Sequence, residues 1–153
     1  MSGIRREELR AEIQTQHLWS IGFASVEEID RLNIFHASLL AMRRAVEGLK
    51  LPSGHVLVDG KFKIPGLDGF IQTALVQGDS RAEPISAASI VAKVTRDLYM
   101  RELAERFPGY GFEVHKGYAT LQHRQQLAAL GPCEHHRRSF LRIAAFEQEI
   151  PAQ

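Results

Sequence analysis

A chain of 153 residues with 44% hydrophobic and 24% charged residues has the composition of one globular domain, which excludes disordered, collagen-like and fibrous classes. Nineteen Lys and Arg against 18 Asp and Glu leave a formal net charge of +1, so the overall balance names no partner. No apolar run approaches the ~20 residues of a membrane span, Glu7 and Glu8 in a start without an apolar stretch argue against a secretory leader, and the lone Cys133 forms no internal disulfide; a soluble cytoplasmic protein is expected.

Residues 5–14 read as a helix, and residues 17–23, rich in bulky and aromatic side chains, predict a strand. Ser25 with Glu28 three positions on is a capping-box signature for a short helix, and Asn33 is an N-cap for a longer one. In that longer helix Phe35, Leu39, Met42, Val46 and Leu49 recur at helical spacing and predict a core-facing stripe, with Gly48 and Pro52 as stop signals. Two apolar runs, residues 55–58 and 73–76, predict strands on either side of a loop over residues 61–69. A long helix is predicted over residues 85–106, between Pro84 and Pro108, and its first half of small and apolar residues suits close packing on a sheet. Two further helices, residues 121–130 behind an N-cap at Thr120 and residues 139–147, are separated by Gly131-Pro132. The order predicts a single α/β domain over residues 1–153 with a mixed sheet, in which three strands are few for so many apolar helices.

Two carboxylates end strands: Asp59 follows Val56-Leu57-Val58, and Asp79 follows the second run by way of Gln77-Gly78. Ligands gather at strand ends of α/β sheets. If the strands run side by side in one direction, both carboxylates emerge at one edge and suit a hard divalent cation whose shell is completed by water and phosphate. Asp-Gly and Gly-Asp are equally common turn dipeptides. The segment 111–120 combines Lys116, Gly117 and Tyr118 ahead of a helix, a pattern suited to phosphate and to a sugar bearing a 2′-hydroxyl, or to a polar loop with Tyr118 as a lid on the core.

The charge distribution is less even than its sum. Between His115 and Arg142, Lys116, Arg124, Arg137, Arg138 and Arg142 face Glu134 alone, a local balance of +4, and four of the seven histidines (His115, His123, His135 and His136) fall in the same window. Such a segment docks a polyanion or forms a solvated basic face. Cys133, His135 and His136 lack the spacing of a structural zinc site. Ser86 and Ser89 have no base beside them in sequence, Asp97 inside the long helix suits a salt-bridged or N-terminal-face carboxylate, and Lys93 on the same helix reaches phosphate or snorkels at the surface.

Taken in order, several segments together resemble prokaryotic ribonuclease HII over about residues 8–142. They are Glu28-Ile29-Asp30-Arg31-Leu32-Asn33-Ile34, the Val58-Asp59-Gly60 strand end, Gly78-Asp79-Ser80, the run from Ile85 through Lys93 to Arg96-Asp97, His115-Lys116-Gly117-Tyr118 and His136-Arg137-Arg138-Ser139-Phe140. The resemblance implies a ribonuclease H-like mixed sheet flanked by helices, with further C-terminal helices. It also implies an endoribonuclease that cuts the RNA strand of RNA–DNA hybrids and single ribonucleotides in duplex DNA, dependent on Mn²⁺ or Mg²⁺, leaving 5′-phosphate and 3′-hydroxyl ends. By the same resemblance Asp59 and Asp79 are catalytic metal ligands, Tyr118 stacks on the sugar at the RNA-to-DNA junction, and Lys116, Arg137 and Arg138 lie near the substrate.

The family's Asp-Glu-x-Gly-Arg-Gly segment, source of its first two carboxylates, and the strand and Asp-Ser-Lys-Lys segment that follow do not occur in this sequence. The expectation is a chain shortened at its N-terminus and lacking the first two strands, with little or no cleavage by itself. The alternatives are a noncatalytic nucleic-acid-binding fragment and a product that does not fold alone. No obligate protein partner is inferred.

Overall fold

The structure is a computed structural model that describes residues 2–140. Local capping starts its first helices. The Ser2 hydroxyl accepts the Arg5 N–H at 3.3 Å and opens α1 (Gly3–Gln16), which ends where His17 turns extended. At α2 (Val26–Gly48) the expected capping box is present: the Ser25 hydroxyl accepts the Glu28 N–H at 3.2 Å, and the Glu28 carboxylate accepts the Ser25 N–H at 2.9 Å. Asn33 interrupts α2 at φ 68°, and its Oδ1 accepts the N–H groups of Phe35 and His36 at 3.0 and 3.2 Å. The helix therefore restarts at Asn33 as an internal N-cap, as its position in the sequence predicts.

Residues 17–23 are not the expected strand. They lie along α2 without regular structure, so close that a Cβ on Gly22 would collide with the backbone of Ala41 and Ala45. Arg44 ties the segment down, donating to the Phe23 carbonyl at 2.7 Å and to both oxygens of Glu28 at 2.7 and 2.6 Å. β-Propensity alone does not make a strand; a ladder partner is needed, and this segment has none among the described residues.

Strands β1 (Gly54–Asp59) and β2 (Phe70–Leu75) form a parallel pair, the only sheet among the described residues. β2 starts three residues earlier than the apolar run suggests and ends before Val76. The side chain of Gln72 explains how the connection is fastened to it: its amide accepts the Ile64 N–H at 2.7 Å and donates to the Ile64 carbonyl at 3.0 Å, standing in for a third strand beside the loop. Two helices follow, the one-turn α3 (Gly78–Arg81) and the long α4 (Glu83–Arg106), close to its predicted bounds. The segment expected as a loop over residues 111–120 contains a short helix, α5 (Phe112–His115), before α6 (Leu121–Leu130) starts at the predicted Thr120 cap. The helix expected over residues 139–147 falls almost entirely outside the described residues, as does Arg142.

The core has two parts. Leu39, Val58, Ile64 and Leu67 pack between α2, β1 and the inter-strand loop, with Val46, Val56 and Phe70 at the margin. Met100, Leu103, Tyr110 and Phe112 pack between the end of α4 and α5. Of the expected α2 stripe, Leu39 is buried, but Phe35 and Met42 are exposed, because no described element covers that side of the helix. Phe35 instead meets Phe62 edge-on at 5.0 Å. On the sheet Ile71 is 71% exposed, unusual for a parallel strand, whose two faces are ordinarily covered.

The Arg44 fork and the Ser25 N–H hold the Glu28 carboxyl down to about 2 from an ordinary 4.5. A carboxylate lowered by folding contributes fully above its unfolded value and less as pH falls through its folded one. Thermal melts should therefore show an acid loss between pH 4.5 and about 2 that Glu28→Gln reduces. Identical pH profiles for the two proteins contradict this assignment.

Candidate functional site

The parallel register pairs Asp59 with Leu75, so both strands run out at one edge of the sheet. Beyond β2 the chain turns through Gln77, in left-handed conformation at φ 55°, into α3. There the buried Gly78 donates its N–H to Asp59 Oδ1 at 2.8 Å. The Asp59 carboxylate thus rests against the residue immediately before Asp79, and both aspartates are exposed to solvent. Gly78 leaves room for this contact: a Cβ there would lie 2.5 Å from Ile85 Cδ1 of α4 and 3.3 Å from Asp59 Oδ1.

Two solvent-open carboxylates, one with an oxygen already steadied by a backbone N–H, fit a hard cation that keeps several waters and takes phosphate oxygens. They are not a closed cage. Among the described residues no group of three or more His, Cys, Asp or Glu is placed to hold a metal ion.

A second constellation gathers around Arg96, in the middle of α4. Its guanidinium donates to the Tyr118 hydroxyl at 3.0 Å and to the Lys116 carbonyl at 3.1 Å, and lies 4.8 Å from the Tyr118 ring centroid. Lys116 at φ 51° and Gly117 at φ 76° form the sharp turn that presents the exposed Tyr118. Arg137 approaches the same place: burial, then the nearby Arg96, pull its guanidinium below the usual arginine range. It also stacks over Phe140 at 4.1 Å.

Arg138 is exposed, and its backbone is anchored from α2. Asp30 accepts the N–H groups of Arg138 and Ser139 at 2.9 and 3.0 Å and the Ser139 hydroxyl at 2.6 Å. These bonds, the Ser139 hydroxyl first, hold the Asp30 carboxyl below its ordinary value. Lys93 pairs with Asp97 one turn further along α4, so its ammonium is engaged within the helix.

The structure thus brings the Tyr118 side chain and the Lys116 carbonyl onto one arginine, with Arg137 near enough to feel its charge, and Asp59 beside the turn bearing Asp79. Both groups are organised by α4, which packs on β1, α3 and α5. Spacing alone does not single out Arg96 or Asp30; their signal in the sequence is their place inside segments that carry the family resemblance, Glu28 to Ile34 and Lys93 to Asp97.

Fold and constellations together describe an α/β domain with acidic groups at a strand edge and a basic, aromatic-bearing flank. Residues 2–143 match the family model for ribonuclease HII. The ribonuclease HII of Delftia acidovorans (strain DSM 14801 / SPH-1) is 54% identical over 145 residues, which cover 94% of this chain and 61% of that protein. The chain belongs to the ribonuclease HII family. It spans about three fifths of the length of that relative.

Proposed function

We propose that this domain works in the cytoplasm in a divalent-metal-dependent endoribonuclease that hydrolyses the RNA strand of RNA–DNA hybrids and single ribonucleotides embedded in duplex DNA. The products are 5′-phosphate and 3′-hydroxyl ends. The observation that supports this reading best is the meeting of Asp59 with the Asp79-bearing turn at one edge of two parallel strands, in a chain of this family.

Asp59 and Asp79 are the residues that hold Mg²⁺ or Mn²⁺. When bound, the cation supplies Lewis-acid stabilisation of charge on the phosphate oxygens. The Gly78 N–H keeps the Asp59 carboxylate at the edge of the sheet. The Tyr118 ring, steadied by Arg96, lies against the sugar that carries the 2′-hydroxyl and so distinguishes ribose from deoxyribose. Lys116, Arg137 and Arg138, within the basic segment 115–142, meet backbone phosphates.

Binding of a labelled duplex containing one ribonucleotide, compared with its all-DNA counterpart over a range of salt, tests this function. The ribonucleotide duplex is expected to bind more tightly, with a log–log salt slope of about −3 for three phosphate contacts. By itself the 153-residue chain, in which only Asp59 and Asp79 of the family's carboxylates are recognised, is expected to show little or no cleavage in Mg²⁺ or Mn²⁺. Equal affinity for both duplexes, flat in salt, contradicts the reading of the basic flank; rapid cleavage contradicts the expectation of weak activity.

A further inference from the structure

Away from the aspartate pair, three imidazoles and Cys133 lie together where α5, α6 and the turn at residues 133–136 meet. His115 is stacked on His123 with ring centroids 4.1 Å apart, and His136 lies beyond. His115 and His136 are buried. Their backbone partners determine which nitrogen carries each proton, because an N–H only donates and a carbonyl only accepts.

His115 Nδ1 accepts the Gly117 N–H at 3.1 Å, so its proton sits on Nε2 and goes to the Tyr110 carbonyl at 2.6 Å. His136 Nδ1 accepts the Cys133 N–H at 3.0 Å and lies 3.1 Å from Cys133 Sγ. Its proton is therefore on Nε2, which faces His123 Nε2 at 3.2 Å. His123 Nδ1 faces the Tyr118 carbonyl at 3.0 Å and must donate there, leaving its Nε2 to accept from His136. Every ring nitrogen of the three is in use, so this cluster is no metal site in its present form.

We infer that His136 and His123 are positioning residues: a one-directional, uncharged relay running from the Cys133 N–H through both rings to the Tyr118 carbonyl, which helps to hold Tyr118 and breaks at the ring-to-ring link when His123 gains a proton or at the Cys133 N–H when His136 does. The inference rests on the proposed role of Tyr118 at the sugar. Tyr118 is then held by Arg96 at its ring and hydroxyl, by His123 at its carbonyl, which also accepts the Thr120 N–H at 2.8 Å, and by its own N–H to the His115 carbonyl at 2.9 Å. A proton added to His123 sets two N–H groups against each other, and one added to His136 Nδ1 sets its N–H against that of Cys133.

The surroundings oppose such a proton. His115 and Lys116 lie on the α5 side, His135 and Arg137 on the 133–137 turn, and Arg96 on α4, while Asp30 on α2 is occupied with Arg138 and Ser139. Glu134 lies near His135 and Arg106. Burial, more than these charges, holds His123 and His136 below the ordinary histidine value of 6.5, so the relay is intact at neutral pH and opens in acid.

Long-range ¹H–¹⁵N correlation of the histidine rings in the full chain reads this directly. At pH 8 His123 should be the Nδ1–H tautomer and His136 the Nε2–H tautomer. On acidification their signals and those of Tyr118 should move with a shared midpoint below 6.5. His136→Phe should return His123 to a tautomer mixture and raise its midpoint toward the ordinary value. An Nε2–H tautomer at His123, Tyr118 signals indifferent to histidine titration, or an unchanged His123 in the variant each overturns the relay. None of these readings needs a substrate, so their failure is distinct from a failure of the duplex-binding test, which judges the function itself.

Discussion

Asp59→Asn is expected to weaken Mn²⁺ binding by roughly thirtyfold while leaving thermal stability nearly unchanged. The magnitude follows from charge: a unit charge about 4 Å from a divalent cation is worth about 2 kcal/mol even at the dielectric constant of water. The preserved stability follows from geometry, because the asparagine amide keeps an oxygen where Asp59 Oδ1 accepts the Gly78 N–H. Asp59→Ala removes that acceptor as well. It leaves the N–H of the buried Gly78 without its partner, at a cost of about 1–3 kcal/mol. Asp79, whose carboxylate takes no hydrogen bond among the described residues, should lose metal affinity on change to asparagine with no stability penalty of this kind. Calorimetric Mn²⁺ titration beside thermal melts separates the two contributions. Undiminished affinity in Asp59→Asn would remove the carboxylate pair as the metal-holding group.

What can be read from the sequence divides according to how local its cause is. Ser25 with Glu28, Asn33 and Thr120 act through their own side chains on N–H groups two or three residues away, and each is found capping as predicted. The strand ends at Asp59 and near Asp79 were legible for a related reason: an apolar run stops where polar residues begin, and parallel pairing then carries both ends to one edge. Arg96 and Asp30 were not legible from spacing. Arg96 acts on residues 20 and 22 positions later and Asp30 on residues over 100 positions later, and no periodicity records such a pairing. The histidine relay lies between these cases. Its residue types are conspicuous in the sequence, but its direction depends on which backbone groups the rings face, and only the folded chain supplies that.

The failed strand at residues 17–23 has the same origin and leads to the largest expected stability effect in the molecule. A run of Leu18, Trp19, Ile21 and Phe23 has strand propensity, yet Leu18 and Phe23 stay mostly exposed and the backbone lies on a helix instead of in a ladder. Gly22 makes that approach possible, because the atoms a Cβ would strike belong to the α2 backbone at Ala41 and Ala45, which no rotamer change can move aside. Gly22→Ala should therefore destabilise by about 3 kcal/mol or more, the upper end of overpacking costs, and lower the melting temperature by about 6–12 °C. At Gly48 the colliding atom is the hydroxyl of Ser20, a side chain able to rotate, so Gly48→Ala should cost distinctly less. Gly3→Ala, with nothing within 4 Å and a place in the first turn of α1, should be neutral or slightly stabilising. The order Gly22 far above Gly48 above Gly3 is the diagnostic result in denaturant or thermal unfolding. A Gly22→Ala protein as stable as Gly3→Ala would mean that residues 17–23 do not rest on α2.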